Sequence, residues 1–568
     1  MHILESQLRD RLATAFSAVA GESVDPVLRR SKHADFQADG ALALARRLHR
    51  APREIAADVV EAADLADLCD HVKVTGPGFV SLTVRDDAID RLLTALTTDA
   101  RLGVPLTSKP ETVVIDYSSP NAAKEMHVGH IRSTILGDAV SRLLEFLGHK
   151  IIRQNHLGDW GTPFGMLIEH LIDLNETAEQ SVADLSGFYR AARNKFDRDP
   201  EFQQRSRQRV VLLQGGDEET LRLWQTFVDA SKKYFLTEYE KLGVRLTAAD
   251  FAGESTYNHL LPEVVEDLDK LGLLRESDGA QCTFPAGFSN RDGDPLPLIV
   301  RKSDGGYGYA ATDLATLRHW IEQLHGSRLM YVVGTPQRLH FQMVHQTARE
   351  AGWLAEPVRA EHIGFGSILG PDGKMLRSRE GTSTKLADLL DEAISRAGAV
   401  IAEKDPELSA ADRRALANVV GIGAVKYADL CIERTNDYVF DYDRMLALDG
   451  NSAPYLQFAH ARICSILRKA DTVPAGPVLI TEPAERKVAL ELLALPGILE
   501  EVAESAHFHK LTGYLFGLAT TFTGFYEKCP VLRAEPGIRE SRLALCDLTA
   551  RTLALGLDLL GIGAPERM

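Results

Sequence analysis

Residues 112–156 read TVVIDYSSPNAAKEMHVGHIRSTILGDAVSRLLEFLGHKIIRQNH, and their order decides the architecture. TVVIDYS is a short run rich in strand-forming residues. SPNAAKEM follows with loop composition. IRSTILGDAVSRLLEFLG spaces its apolar residues with a helical period, and KIIRQNH returns to strand. Strand, loop, helix and strand in this order imply two parallel strands joined by a crossover helix. In such a sheet, ligands bind where strands end and helices begin. His127 and His130 fall at that place, three apart on one face of the expected helix start. A helix N-terminus attracts phosphate through its unpaired N–H groups. Gly129 has no Cβ and permits close approach to the backbone. With Lys124 reaching over from the loop, the stretch reads as a seat for a triphosphate. Two histidines at this spacing also suit a metal, but no third ligand lies nearby in sequence, so none is expected.

Working outward, the loop LGDWGTPFG and a helix around MLIEHLIDL extend the same pattern. Polar helical sequence interrupts it between about 176 and 275, which reads as an insertion. The α/β pattern is expected to resume at PLPLIVRKSDGG and to continue through the helix YGYAATDLATLRHWIEQL, the strand RLMYVVG and the helix RLHFQMVHQTAREAG. Two further strands, AEHIGFGSIL and KMLRS, flank the turn GPDGK. Beyond about 405 strand signals vanish, and long apolar-periodic helices such as NSAPYLQFAHARICSILRKA take over. The first 105 residues mix helices with a hairpin, VTGPGFVSLTV, whose glycines supply the turn. The expectation is three domains. Residues 1–105 form an α+β module and 106–404 a Rossmann-type parallel-sheet domain. Residues 405–568 form an all-α domain.

Length and composition agree with several cores. The chain has 568 residues, whereas single cores stop growing at roughly 250–300. No apolar run approaches the roughly 18–20 residues of a membrane span, and the N-terminus lacks the basic start of a secretory signal. Six cysteines are scattered singly with no C-x-x-C pair, so neither zinc nor a disulfide frame is expected, and a reducing cytoplasmic setting fits. The net charge of −16 argues against a polyanionic partner only if charge is averaged. Arginines cluster locally at Arg46, Arg47, Arg50 and Arg53, and again at Arg205, Arg207 and Arg209.

A second stretch, GPDGKMLRSREGTS, places Lys374, Arg377 and Arg379 in a glycine-flanked loop after the last strand of the α/β region. Mobile cations of this kind meet negative charge that develops in phosphoryl chemistry. H-x-G-H followed far downstream by K-M-x-[KR]-S resembles the paired nucleotide motifs of class I aminoacyl-tRNA synthetases. SSPNAAKEMHVGHIRST, NHLGDWGTPFG, YGYAATDLA, NSAPYLQFAHARICSILRKA and LGIGAPERM are similar to the arginyl-tRNA synthetases of that class, and the likeness runs essentially end to end.

The resemblance implies ATP-dependent ligation of L-arginine to tRNA(Arg) through an arginyl-adenylate. ATP would enter with Mg2+ as substrate, with no tightly bound cofactor and no zinc. It implies arginine binding by Ser119, Asn121, His130, Tyr309, Asp313 and Gln337, and Asp116, just inside the first strand, is a further acidic candidate. A guanidinium needs a carboxylate and fixed acceptors, and Tyr309 and Asp313, four apart on one helix, would project from the same face. Lys124, His127, His130, Lys374 and Arg377 would stabilise the triphosphate and its leaving group, with Gly129 beside the ATP. In this family the later loop often lacks the second lysine of K-M-S-K-S, and a lysine placed as Lys124 is thought to compensate. Here that second position is Arg377, and Leu376 replaces a serine, so the division of labour among Lys124, Lys374 and Arg377 stays open. The helical domain resembles an anticodon-binding domain, with Tyr455, Gln457, His460 and Arg462 expected to face tRNA. The N-terminal hairpin contacts the tRNA elbow in relatives, often through an asparagine where Ser81 stands here. A cytoplasmic monomer is expected. Two other readings remain at this stage: a nucleotidylyltransferase using H-x-G-H on a small acceptor, and a non-catalytic tRNA-binding paralogue.

Overall fold

The computed structural model describes residues 4–174, 185–376, 384–470 and 476–568. The N-terminal module opens with the helix Leu4–Ala20 and contains strands β1 (Leu28–Arg30), β2 (Phe36–Ala38), β3 (Cys69–Thr75) and β4 (Phe79–Val84). They form one antiparallel sheet in the order β1-β2-β4-β3. β4 alternates, with Val80, Leu82 and Val84 turned into the core, as a sheet with one covered face requires. A bidentate pair from Arg486 to Asp35, at 2.8 and 2.7 Å, ties the module to the C-terminal helices.

The central sheet is built from β5 (Thr112–Asp116) and β6 (Lys150–Gln154), with later strands joining beyond an insertion. The insertion comprises the helices Leu185–Arg198, Pro200–Gln214 and Glu218–Leu242, then 3₁₀ turns and the helix Leu261–Lys270. The pattern does not resume at PLPLIVRKSDGG as expected. β7 (Arg275–Ser277), β8 (Ala280–Thr283) and β9 (Leu298–Arg301) form a separate antiparallel sheet. β9 buries Leu298 and Val300 and exposes Ile299 and Arg301. That alternation belongs to a one-sided sheet, not to a strand covered on both faces.

β10 (Arg328–Tyr331) and β11 (Arg359–His362) complete the central sheet in the order β11-β10-β5-β6, all parallel. β12 (Ile368–Leu369) leads into the GPDGK turn, where Leu369 bridges Met375. One short strand does lie beyond residue 405: β13 (Tyr438–Val439), parallel to β12. Otherwise the C-terminal third is helical among the described residues.

The two middle strands are covered on both faces and are largely apolar and buried, β5 as TVVID and β10 as RLMY, whereas the outer strands β6 and β11 are only partly buried and carry charged residues. Val113 and Ile115 of β5 join the core formed with the helix Ile131–Phe146, while Val114 joins the core beneath Leu314, Trp320 and Val344. The first helix lies very close to the strand it follows. A Cβ on Gly137 would meet the Tyr117 side chain at 2.3 Å, so only glycine fits there. A buried ion pair fixes the same helix to the helical domain: Arg132 Nε donates to Asp429 Oδ2 at 3.0 Å, with both side chains under 5% exposed. The in-register sheet places Gln154, Asp116, Tyr331 and His362 in one row along its carboxyl rim.

Candidate functional site: a crevice at the carboxyl rim of the sheet

The loop after β5 is held in a contorted path. Ser118 and Ser119 both take positive φ, 74° and 47°, a conformation that costs of order 1–3 kcal/mol each. The surroundings over-determine it. Ser118 N donates to Ser133 Oγ at 2.9 Å, Ser118 Oγ lies 2.8 Å from Tyr239 Oη, and Ser119 N donates to Asn155 Oδ1 at 3.0 Å. Ser119 Oγ is thereby aimed at Asp116, donating to Oδ1 at 2.6 Å. Asn121 lies against the loop after β6, pairing with Gly158, where a Cβ would strike its Oδ1 at 2.3 Å.

His127 and His130 meet, with ring centroids 4.1 Å apart. The geometry is tighter than two residues on one helix face. Residues Val128–His130 form a 3₁₀ turn and the helix proper begins at Ile131. His127 Nδ1 accepts from Gly129 N at 3.0 Å, and His130 Nδ1 accepts from His127 N at 3.1 Å. Both Nδ1 atoms are therefore acceptors, so each neutral ring carries its proton on Nε2 and offers it outward. Burial keeps both rings neutral. It lowers His127 below the ordinary imidazole value, helped by the charge of Lys124, and lowers His130 to about 3, helped by His127. Gly129 serves a purpose not read from sequence: a Cβ there would sit 2.7 Å from His127 Cε1, so the glycine makes room for the ring. Lys124 Nζ lies over the Tyr189 ring at 4.5 Å, at the insertion's edge of the crevice.

The other end of the crevice is acidic. Asp116 is 7% exposed, and burial pushes its carboxyl up, with Asp313 adding to the rise. Asp313 Oδ2 lies 2.5 Å from His340 Nε2 across two helices. Tyr309, at the start of the same helix, is 76% exposed. Gln337 is exposed at the end of the turn after β10. The sequence reading missed Glu254. It lies in the 3₁₀ turn Glu254–Leu260 inside the insertion, and its carboxyl is pushed up to about 7, by burial first and then by Asp159 and Asp313, with His156 opposing. Its loop is anchored by Asp159, which accepts from Ser255 N at 2.9 Å and from Ser255 Oγ at 2.7 Å. Asp313 thus acts on both Asp116 and Glu254 in a partly dry space, with His156 offsetting part of the effect, and three carboxyl groups so placed favour a cation. The Tyr331 hydroxyl, in register with Asp116, is buried with no hydrogen-bond partner.

Lys374 is exposed in the turn closed by Gly370 N to Lys374 O at 2.7 Å, with Gly373 at positive φ. Arg377 and Arg379 lie outside the described residues. The chain re-enters beside the histidines: Val128 N donates to Thr384 O at 3.0 Å and Leu386 N to Met126 O at 2.9 Å. Among the described residues, no group of three or more His, Cys, Asp or Glu is arranged to hold a metal ion.

Comparison with known proteins fits this layout. The model of the "tRNA synthetases class I (R), catalytic domain" matches residues 91–442. Those of the "Arginyl tRNA synthetase N terminal domain" and the "DALR anticodon binding domain" match residues 2–84 and 456–568. An arginine–tRNA ligase of Thermobifida fusca is 54% identical over 576 residues, covering 99% of both chains. The chain belongs to the class I arginyl-tRNA synthetase family. The Frankia casuarinae member is 50% identical across 100% of this chain and 99% of its own. Solved arginyl-tRNA synthetases of Plasmodium falciparum and Thermus thermophilus superpose with TM-scores of 0.87 and 0.85 at 28% and 26% identity, each covering 100% of both chains.

Within the region matched by the family's anticodon-binding model, the helix Ala453–Ala470 corrects part of the sequence reading. Gln457 and His460 do not face solvent. Gln457 is 0% exposed and donates through Nε2 to Gly563 O at 2.8 Å, while His460, 5% exposed, has Nδ1 3.0 Å from Pro565 O. Both clamp the chain's last residues onto the helix, because buried amide and imidazole groups need partners. Tyr455 is partly exposed against Phe516, with ring centroids 5.4 Å apart. Arg462 is exposed over Tyr526 at 5.0 Å. Between them Phe458, overlooked in the sequence, is 48% exposed. The spacing 455, 458, 462 is that of one helix face and would have revealed it.

Proposed function

We propose that the chain joins arginine to tRNA(Arg) in two steps. The arginine carboxylate attacks the α-phosphorus of ATP, which enters with Mg2+, and pyrophosphate departs. The terminal ribose hydroxyl of the tRNA then attacks the arginyl carbonyl and releases AMP. No covalent enzyme intermediate is needed, so positioning and charge stabilisation carry the catalysis. The observation that carries this reading is the pairing on one rim of two neutral Nε2–H donors with an acidic recess.

In this reading Asp116, Asp313 and Glu254 receive the guanidinium, with Tyr309 closing over it. Ser119, Asn121, His130 and Gln337 hold the amino-acid end. His127, His130, Lys124 and Lys374 meet the phosphates, with Gly129 at the nucleotide and Arg377 joining them. Side chains that must pair with a guanidinium reject substrates lacking it by about 10⁴–10⁵, so no second hydrolytic site is required. The exposed stripe Tyr455–Phe458–Arg462 is suited to stack on unpaired bases and neutralise phosphate. A cavity of about 430 Å³ on the N-terminal sheet, lined by Lys73, Phe79 and Ser81 among others, suits the contact expected of the hairpin. A single chain carries every residue of the crevice, which supports a working monomer. The six cysteines are free, four of them buried, which suits a reducing cytoplasm.

The match across all three parts of the chain favours this reading over a small-acceptor nucleotidylyltransferase. ATP–pyrophosphate exchange, run with each of the common amino acids with and without total tRNA, tests it. Label should enter ATP only with arginine. Exchange driven by another amino acid, or by none, contradicts the assignment.

A further inference from the structure

A second cavity, of about 520 Å³, lies along the outer face of the helix Arg338–Glu350 at the β11 edge of the sheet. Arg338, Arg349 and Arg434 line it together with His345 and His362. None of Asp116, Ser119, Asn121, Tyr309, Asp313 or Gln337 does so.

Three features set it apart from an ordinary basic surface. The first is uncompensated charge. Among the described residues no carboxylate pairs with Arg338, Arg349 or Arg434. The acids nearby form no ion pair with them: Glu361 is held by Arg328 at 2.9 and 3.0 Å, Glu433 accepts from Thr435 and faces His507 at 3.4 Å, and both act on Arg434 only at longer range, while Glu350 accepts from Gln346 at 3.0 Å. The second is a buried polar group without a partner. His345 is 5% exposed and its Nε2 makes no hydrogen bond. Burial, with the charge of Arg349, lowers it to about 4, so it stays a neutral ring able to donate. The third is orientation. Arg434 Nη1 is fixed on Gly364 O at 2.5 Å while its Nε is buried and unpartnered. A protein carrying a net charge of −16 has nonetheless gathered three unpaired guanidinium groups around a buried imidazole.

We propose that this cavity is a phosphate-binding site, in which Arg338, Arg349, Arg434 and His345 Nε2 converge on one phosphate group. Guanidinium forks match phosphate oxygens in geometry and charge, and a buried donor left unpaired otherwise carries a full desolvation penalty. Two sources supply that chemistry, a free phosphate anion or a phosphodiester of a bound RNA. The site does not depend on the aminoacylation reading.

Two probes on the full chain test it: inorganic phosphate by titration calorimetry, and tRNA by equilibrium binding across a salt series. Arg349 is exposed, so Arg349→Gln should fold, and Arg349→Lys retains the charge. Loss of a charge-assisted hydrogen bond weakens binding by roughly tenfold or more. A phosphate affinity that falls by that factor in Arg349→Gln and His345→Phe, and recovers partly in Arg349→Lys, supports a free anion. A tRNA affinity that falls in the same variants, with the slope of log K against log salt reduced by about 1, supports a phosphodiester. If both probes bind the variants as they bind the parent chain, the cavity is not a phosphate site.

Discussion

The two ends of the crevice are built by opposite means. At the nucleotide end, His127, Gly129 and His130 satisfy one another within four residues, each Nδ1 closed by a neighbouring backbone N–H. At the other end Asp116, Glu254 and Asp313 come from a strand tip, a turn within the insertion and a separate helix, and the charge of Asp313 acts on both of the others. The first end is complete before any ligand arrives and presents neutral donors. The second stores unfavourable electrostatics that a cation relieves. In the proposed reading the two rings would add neutral donors for the phosphates beside the cations Lys124 and Lys374. In the same reading a guanidinium would offset the charge of these carboxylates, and a substrate without one would not.

The largest expected effect falls at the acidic end. Asp313→Ala should lower kcat/KM for arginine by about 3–5 kcal/mol, roughly 10²–10⁴-fold, mainly through KM. Steady-state kinetics with arginine varied would show it, and unchanged values would remove Asp313 from the recess. His130→Ala should lower kcat by about 10²–10³, the usual cost of removing one preorganised donor, with a smaller change in arginine KM. If arginine KM moved more than kcat, the division between the two ends would fail.

Smaller effects come from pH. Glu254 titrates near 7 in the free protein because burial raises it. A guanidinium favours the carboxylate form, so arginine binding should release a proton below pH 7. Arginine affinity should therefore rise with pH towards 7 and level off above it. Calorimetry at pH 6 in two buffers of different ionisation enthalpy measures that proton, and Glu254→Gln should abolish it. The smallest effect is an expected flatness. With His130 near 3 and His127 also lowered, kcat/KM for ATP, which reports the free enzyme, should show no inflection near pH 6.5 due to these rings. An inflection there that disappears in His130→Gln would contradict the neutral-donor assignment.

The contrast also explains what could be read from the sequence. The nucleotide end is local, so H-x-G-H and its strand–loop–helix setting were legible from residues 112–156 alone. So were the middle strands of the central sheet, β5 and β10, whose doubly covered residues form apolar runs. β9 was misread because four residues of alternating burial mean one thing in a parallel sheet and another in an antiparallel one, and only the pairing decides. Glu254 escaped because its function depends on burial against segments 95 and 59 residues away, around Asp159 and Asp313, with no local periodicity to mark it. Gln457 and His460 were placed towards RNA because polar residues on a helix usually face water. Their true partners, the carbonyls of Gly563 and Pro565, lie more than 100 residues downstream. The buried Arg132–Asp429 pair, equally long-range, was invisible for the same reason.

One measurement tests the division of the crevice directly: the crystal structure of the protein with a non-hydrolysable arginyl-adenylate analogue. The guanidinium should lie among Asp116, Glu254 and Asp313, with the analogue's phosphate-mimicking group within hydrogen-bond reach of the Nε2 atoms of His127 and His130. A guanidinium seated away from those three carboxylates, or a reversed analogue with its adenosine in the acidic recess, would contradict it.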